Sequence, residues 1–341
     1  MFRAFSQKYI TPKNVLFFII LILFLFFISK IPDIALMFFA SYVIACSLEP
    51  LVQKLSCKMQ RSTASAIVLL GCLLAVMLLF VPLFIIGANE VRSFTESFPQ
   101  YMELVKNFIE HTPFLSKQNL SNADMGGIIT NASGFSTKIL YETINIGRNL
   151  GSAFVYLLVS ILIIYYFMVD KELIKNNFLR LFPVPMRSRT AEIYDSISLK
   201  IGGYVVAQVA TMASIGVIVT IGLMLIKVDY ALLLGFISAL FDIVPVVGPT
   251  VAFFVCVFAV YKAGPVAMIL TALIFGIAQL IENNFVRPFV FSKLLNIHPL
   301  LVFLFIFLAA KFLGIIGVVF APAIAALAVV LIEEIYMKSI E

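Results

Sequence analysis

Apolar residues run along this chain in long blocks, and the polar positions are gathered into short stretches between them. The blocks fall at roughly 12–29, 33–48, 64–88, 153–169, 204–226, 230–261, 265–281 and 299–332. A helix needs about 20 apolar residues, each rising 1.5 Å, to cross a hydrocarbon layer about 30 Å thick. The pattern therefore predicts an all-α polytopic membrane protein with about eight transmembrane helices. Two of the blocks, 230–261 and 299–332, are too long for this rule. As straight helices each would reach about 48 Å or more. Each is expected to be steeply tilted, broken or re-entrant, and each holds helix-breaking residues near its middle. These are Pro245, Gly248 and Pro249 in the first block, and Gly314, Gly317 and Pro322 in the second.

Composition agrees with the pattern. Hydrophobic residues make up 62% of the chain and charged residues 12%, with mean hydropathy +1.09. Soluble domains carry about twice that share of charge. The net charge of +6 is spread between apolar blocks rather than collected on one arm, so a nucleic-acid partner is not expected. The placement of the basic residues instead orients the chain. Residues 1–14 hold Arg3, Lys8 and Lys13 and no acid, 49–63 hold Lys54, Lys58 and Arg61 against Glu49, and 170–203 are also rich in Lys and Arg. The intervening 89–152 has five basic residues against six acidic ones. Basic loops stay in the cytoplasm, which places the N-terminus there and 89–152 outside. The basic start followed by Val15–Ile28 resembles a signal peptide, but no small-x-small cleavage site follows, and it reads as an uncleaved first span.

Three regions result: N-terminal transmembrane helices over 1–88, an extracytoplasmic segment over 89–152, and a transmembrane transport region over 153–341 with its breaks at 230–261 and 299–332. In the outer segment Phe94, Phe98, Tyr101, Val105 and Phe108 form an amphipathic helical stripe. It is expected to pack on its own bundle or the bilayer; a seam between subunits is the other reading of the same heptad spacing. Residues 116–137, rich in Ser, Asn and Gly, read as a loop. The four cysteines sit in or beside apolar runs without a CxxC pair, so neither disulfides nor a metal site is expected. No cofactor is implied. His111 and His298 are far apart, and there is no nucleophile constellation and no phosphate-binding glycine loop. An enzyme, or a pump that hydrolyses ATP itself, is not expected.

The chemistry is concentrated in the last third. Asp242 stands immediately before the first break. Gln279, Glu282 and Asn283, at i, i+3 and i+4, share one helix face. Arg287 then precedes Pro288, which should end that helix. Lys311 precedes the second break. Polar groups inside a membrane are expensive and mark pathways by default. On that reading Asp242, Pro245, Gly248, Pro249, Gln279, Glu282, Asn283, Arg287 and Lys311 form a substrate or ion pathway. Unwound carbonyls around the first break could meet a cation or a hydroxyl-rich solute, and a desolvated Asp242 or Glu282 could carry protons. The static alternative is a pair of ion bridges, Asp242 with Lys311 or Glu282 with Arg287, that only hold the bundle together.

Across nearly its whole length the chain resembles the autoinducer-2 exporter family of bacterial membrane proteins. The match runs through Ser41–Leu55 with Pro50, Tyr165–Pro183 with its Phe167-x-x-Asp170 exit from a span, Gln208, and the Asp242–Pro249 break. It continues through Gln279-x-x-Glu282-Asn283-x4-Pro288, Leu295-x-x-His298-Pro299 and Gly314-x-x-Gly317-x4-Pro322. The family's first break usually reads Asn-x-Ile-Pro-Tyr-x-Gly-Pro; here Asp242 stands for the Asn and Val246 for the Tyr. The resemblance implies a homo-oligomer in the bacterial inner membrane that exports a small solute. In some members the solute is autoinducer-2; in others sodium or lithium is exchanged for protons. Other relatives are named only for a sporulation role. Three readings follow: a secondary transporter exporting a small polar solute, a sodium(lithium)/proton antiporter, and a sporulation-associated membrane protein or scaffold without transport.

Overall fold

A computed structural model describes residues 30–82, 150–228, 230–244, 247–291 and 299–332. Every regular element among these residues is helical. In chain order they are α1 (Pro32–Ser56), α2 (Arg61–Pro82), α3 (Leu150–Val169), α4 (Lys171–Arg180), α5 (Arg187–Leu225), α6 (Ala231–Phe241) and α7 (Val247–Ala259). Then follow α8 (Pro265–Ile281), a π-helical turn (Glu282–Val286), α9 (Arg287–Phe291) and α10 (Pro299–Leu331). Four helical stretches are long and apolar enough to cross a membrane, or five if α3 and α4, bent by 75° at Asp170, count as one. The first expected span, 12–29, and the stripe from Phe94 to Phe108 lie outside the described residues.

Two boundaries differ from the sequence expectation. The run 33–48 does not stop at Glu49; α1 continues to Ser56 with Pro50 inside it. Its last two turns stay ordered because Val52 is fully buried and Glu49 is braced by cations on other helices. The span set at 204–226 begins at Arg187, making α5 39 residues long. At 1.5 Å per residue that is about 58 Å, well beyond one bilayer core. The excess is amphipathic and leans on α1 and α4, where Tyr42 and Ser198 share a hydrogen bond at 2.7 Å.

Helix α5 is the spine of the molecule. Its first half packs on α1 and α10 and its second half on α6 and α8. The second core contains Ile215, Val219 and Leu223 from α5 with Leu234, Ala252, Cys256, Phe275 and Ala278. A separate core joins α1, α2 and α3 through Val52, Ala64, Val68 and Met168. Outside these seams the surface is apolar: Leu70, Leu74, Met77 and Leu78 on α2 are more than half exposed. Such a surface would be an aggregation patch in water and is what lipid requires. The second long block is one helical run bent at Gly314 (φ 65°, ψ −157°), with apolar halves Leu300–Gly314 and Ile316–Leu331.

Candidate functional site

The first break separates α6 from α7, and the two helices are in contact. Helix α6 ends at Phe241, Asp242 follows, and α7 starts at Val247. Gly248 sits against the end of α6, where a Cβ would collide with the Phe241 carbonyl oxygen. The start of α7 can approach the end of α6 this closely only because that position lacks a side chain. Pro245, one of the expected pathway residues, lies outside the described residues. Asp242 is completely buried. Its main-chain oxygen accepts a 2.9 Å hydrogen bond from Gln208 Nε2 on α5, and Gln208 Oε1 accepts one from the Tyr204 hydroxyl at 3.3 Å.

The second wall comes from the end of α8. Pro288 does not terminate this helix; the run continues through α9 to Phe291 by widening into the π turn at Glu282–Val286. Proline lacks an N–H, and in a regular helix its ring would press on the Asn284 carbonyl; widening the turn relieves that clash. The Arg287 N–H now reaches back to the Glu282 carbonyl. The Asn284 side chain donates to the Leu280 carbonyl at 2.8 Å, satisfying an acceptor beside the irregular turn. The widening also sets the Arg287 side chain over two carboxylates.

Glu282, completely buried like Asp242, accepts from Arg287 Nε at 2.7 Å, and Arg287 Nη2 lies 2.6 Å from the same oxygen. Its other oxygen accepts from Gln279 Nε2 at 3.1 Å, and Gln279 Oε1 meets Asn283 Nδ2 at 3.5 Å. Asp242 Oδ1 is 3.4 Å from Arg287 Nη2, and its Oδ2 has no hydrogen-bond partner. Arg287 thus belongs mainly to Glu282: short charge-assisted bonds are the strong ones. Two buried carboxylates share one guanidinium, and one carboxylate oxygen is left without any donor. With both acids ionised the cluster carries a net negative charge in a low-dielectric setting, which calls for a proton or a cation.

A cavity of about 610 Å³ opens beside this cluster, between α7 and α8. Thr250, Gln279, Asn283 and Arg287 supply its polar side, Phe253, Phe254 and Phe275 its aromatic side, and Pro249 lines it as well. A small polar ligand could meet the amides and guanidinium while its apolar face rests on the rings.

Six of the expected residues, Asp242, Gly248, Gln279, Glu282, Asn283 and Arg287, converge on this place, and Pro249 lines the cavity. Lys311 does not join them. It is exposed on α10, with Nζ 5.8 Å from the centre of the Phe312 ring. The Asp242–Lys311 bridge is therefore not formed; the partner of Asp242 is Arg287, while the Glu282–Arg287 bridge is present. Sequence reasoning missed the part played by Gln208 and Tyr204. Their signal was an amide and a phenol four residues apart in an otherwise apolar stretch.

It also passed over a second polar cluster. Glu49, nearly buried, meets Arg61 at 2.7 Å and Lys171 at 3.2 Å, while Arg61 Nε donates to the Met168 carbonyl at 2.8 Å. Counting these residues as loop charges hid the fact that α1, α2 and α4 bring them together. Among the described residues no group of three or more His, Cys, Asp and Glu side chains could hold a metal ion.

Apolar helices that could cross a bilayer several times, with buried charge and a cavity of mixed polar and aromatic lining between them, are those of a multi-pass membrane protein of transporter type. The particular group is named by sequence comparison: residues 16–337 match the family described as AI-2E family transporter, and the chain belongs to it. Similar proteins include the candidate transport protein YrrI of Bacillus subtilis (strain 168), 26% identical over 178 residues, covering 52% of this chain and 50% of YrrI. YueF from the same organism, also named as a candidate transport protein, is 27% identical over 164 residues, 48% of this chain and 44% of YueF. The candidate permease PerM of Escherichia coli (strain K12) is 26% identical over 194 residues, 51% and 49% of the two chains. The chain thus aligns with about half the length of these relatives.

Proposed function

We propose that this protein is a secondary transporter of the bacterial inner membrane that exports a small polar solute. Its pathway runs past Asp242, Glu282 and Arg287. The observation that carries this reading is the 610 Å³ cavity with amide and guanidinium groups on one side and aromatic rings on the other. The family supports transport, and the cavity supports a solute with both polar and apolar faces. The topology that goes with this reading has about eight spans, a cytoplasmic N-terminus, 89–152 on the outside, and segments 230–261 and 299–332 broken or re-entrant. A homo-oligomer is part of the same reading.

One observation favours a second chemistry. Asp242 Oδ2 is buried and unpartnered, and the two carboxylates outnumber their cation. A sodium or lithium ion exchanging with protons would relieve that imbalance, as a sodium(lithium)/proton antiporter requires. Purified protein in proteoliposomes separates the readings. Sodium-driven change of internal pH is the expected result for the antiporter, and solute flux without it for the exporter. Loss of both would leave a sporulation-associated or scaffolding membrane protein without transport.

A further inference from the structure

A larger cavity, about 810 Å³, lies away from Asp242, between α1, the α3–α4 bend and α5. Its charges are largely neutralised within its own wall. Glu49 is held by Arg61 and Lys171, and Lys175 by Asp195 at 2.6 Å. Glu172, which also lines it, is exposed to solvent. Besides Glu172, the wall offers uncharged polar groups: the Tyr42–Ser198 hydroxyl pair, the Cys46 thiol and the Gln53 carboxamide, whose Nε2 donates to Glu49 Oε1 at 3.0 Å. An ion entering here would lose hydration and find most of the countercharges already bonded, which is unfavourable. A neutral solute with hydroxyl groups would exchange its water bonds for these at little cost.

The cavity also leads somewhere. It reaches Ala207 on α5 and Val290 on α9. Ala207 precedes Gln208, whose amide holds the Asp242 carbonyl, and Val290 lies one turn beyond Arg287. The two cavities therefore touch the same short helix one turn apart. Gly202 lets α5 lie close against α1 in this wall, since a Cβ there would strike the Cys46 carbonyl.

We propose that this cavity is a second binding chamber, on the side of the basic loops, which takes an uncharged hydroxyl-bearing solute and passes it towards Asp242. The role in delivery rests on the transport reading above; the binding site does not. Two purified full-length proteins test it, one retaining only Cys46 and the other only Cys256, the remaining cysteines being serine. Cys256 is fully buried in the apolar core and serves as the control. Iodoacetamide should modify Cys46 about tenfold faster than Cys256 in detergent, because reaction needs solvent access. Ribose, used as a neutral probe, should slow the Cys46 reaction severalfold, whereas sodium chloride and sodium phosphate should not. In the double variant Tyr42→Phe, Ser198→Ala the ratio of the Cys46 rates with and without ribose, each taken on that same variant, should return to one, with an unchanged size-exclusion profile showing that it is folded. An unreactive Cys46 would overturn the chamber, since something then fills it. Reaction slowed by an ion and not by ribose would overturn the solute class, and reaction slowed by no probe would reduce the chamber to a water-filled gap. Failure of transport with these labelling results intact would overturn the proposed function and leave the binding site standing.

Discussion

Two buried polar clusters in this molecule use the same residue types to opposite effect. At the Glu49 cluster one carboxylate meets two cations, and the cations keep roughly a quarter of their side chains in solvent, 28% for Arg61 and 21% for Lys171. At the Asp242 cluster two fully buried carboxylates meet one cation, and one oxygen makes no hydrogen bond. The first arrangement is what holding helices together requires. The second is poor for that purpose, because an uncompensated buried charge weakens a fold. Charge alone inside a membrane therefore does not mark a working site; the two clusters differ in the ratio of acid to base and in the burial of the carboxylates, 11% exposed for Glu49 against 0% for Asp242 and Glu282, while Arg287 at 27% is as exposed as Arg61.

The comparison can be broken by substitution, and the variants rank by expected loss of stability. Arg287→Met leaves two buried carboxylates without a cation and should cost about 3–5 kcal/mol, the range for breaking a buried pair. Thermal unfolding in detergent measures it, and adding Asp242→Asn to that variant should recover part of the loss. Gly248→Ala drives a methyl group into the Phe241 carbonyl and should cost about 1–3 kcal/mol, the usual penalty for overpacking. Glu49→Gln should cost only about 1 kcal/mol, because its cations can turn to water, and the cost should shrink in high salt. If Glu49→Gln proved as damaging as Arg287→Met, the distinction between the clusters would be lost.

Asp242→Asn should be the mildest in stability and the most telling in function. It removes a charge whose outer oxygen has no partner, so unfolding should shift by less than about 1 kcal/mol in either direction. Under the antiporter reading the same variant abolishes sodium-driven pH change in proteoliposomes. Sodium-driven exchange at the normal rate in Asp242→Asn would remove this carboxylate from the pathway.

Much of this arrangement could be read along the chain. Gln279, Glu282 and Asn283 announce one helix face by spacing alone, and the proline–glycine run after Asp242 announces a place where one helix ends and another begins. The errors have a common cause. Pro288 looked like a helix end because local rules treat a proline as a terminator, whereas a π turn lets the helix run on. Lys311 looked like the partner of Asp242 because both stand before a break. Equivalent positions in sequence need not face each other, and Arg287, 45 residues from Asp242, wins by geometry. Glu49, Arg61 and Lys171 looked like loop charges because spacing cannot report that three separate helices meet.

The sequence by itself determined the solvent and the class. Long apolar blocks can satisfy their backbone only as helices in lipid, and the ordered motifs of the last third point to one transporter family. Only the tertiary structure decided which charges share a site, because pairing depends on distances between helices far apart in the chain. It also decided where the cavities lie, since empty space is made by the packing of neighbours and leaves no mark on any single residue.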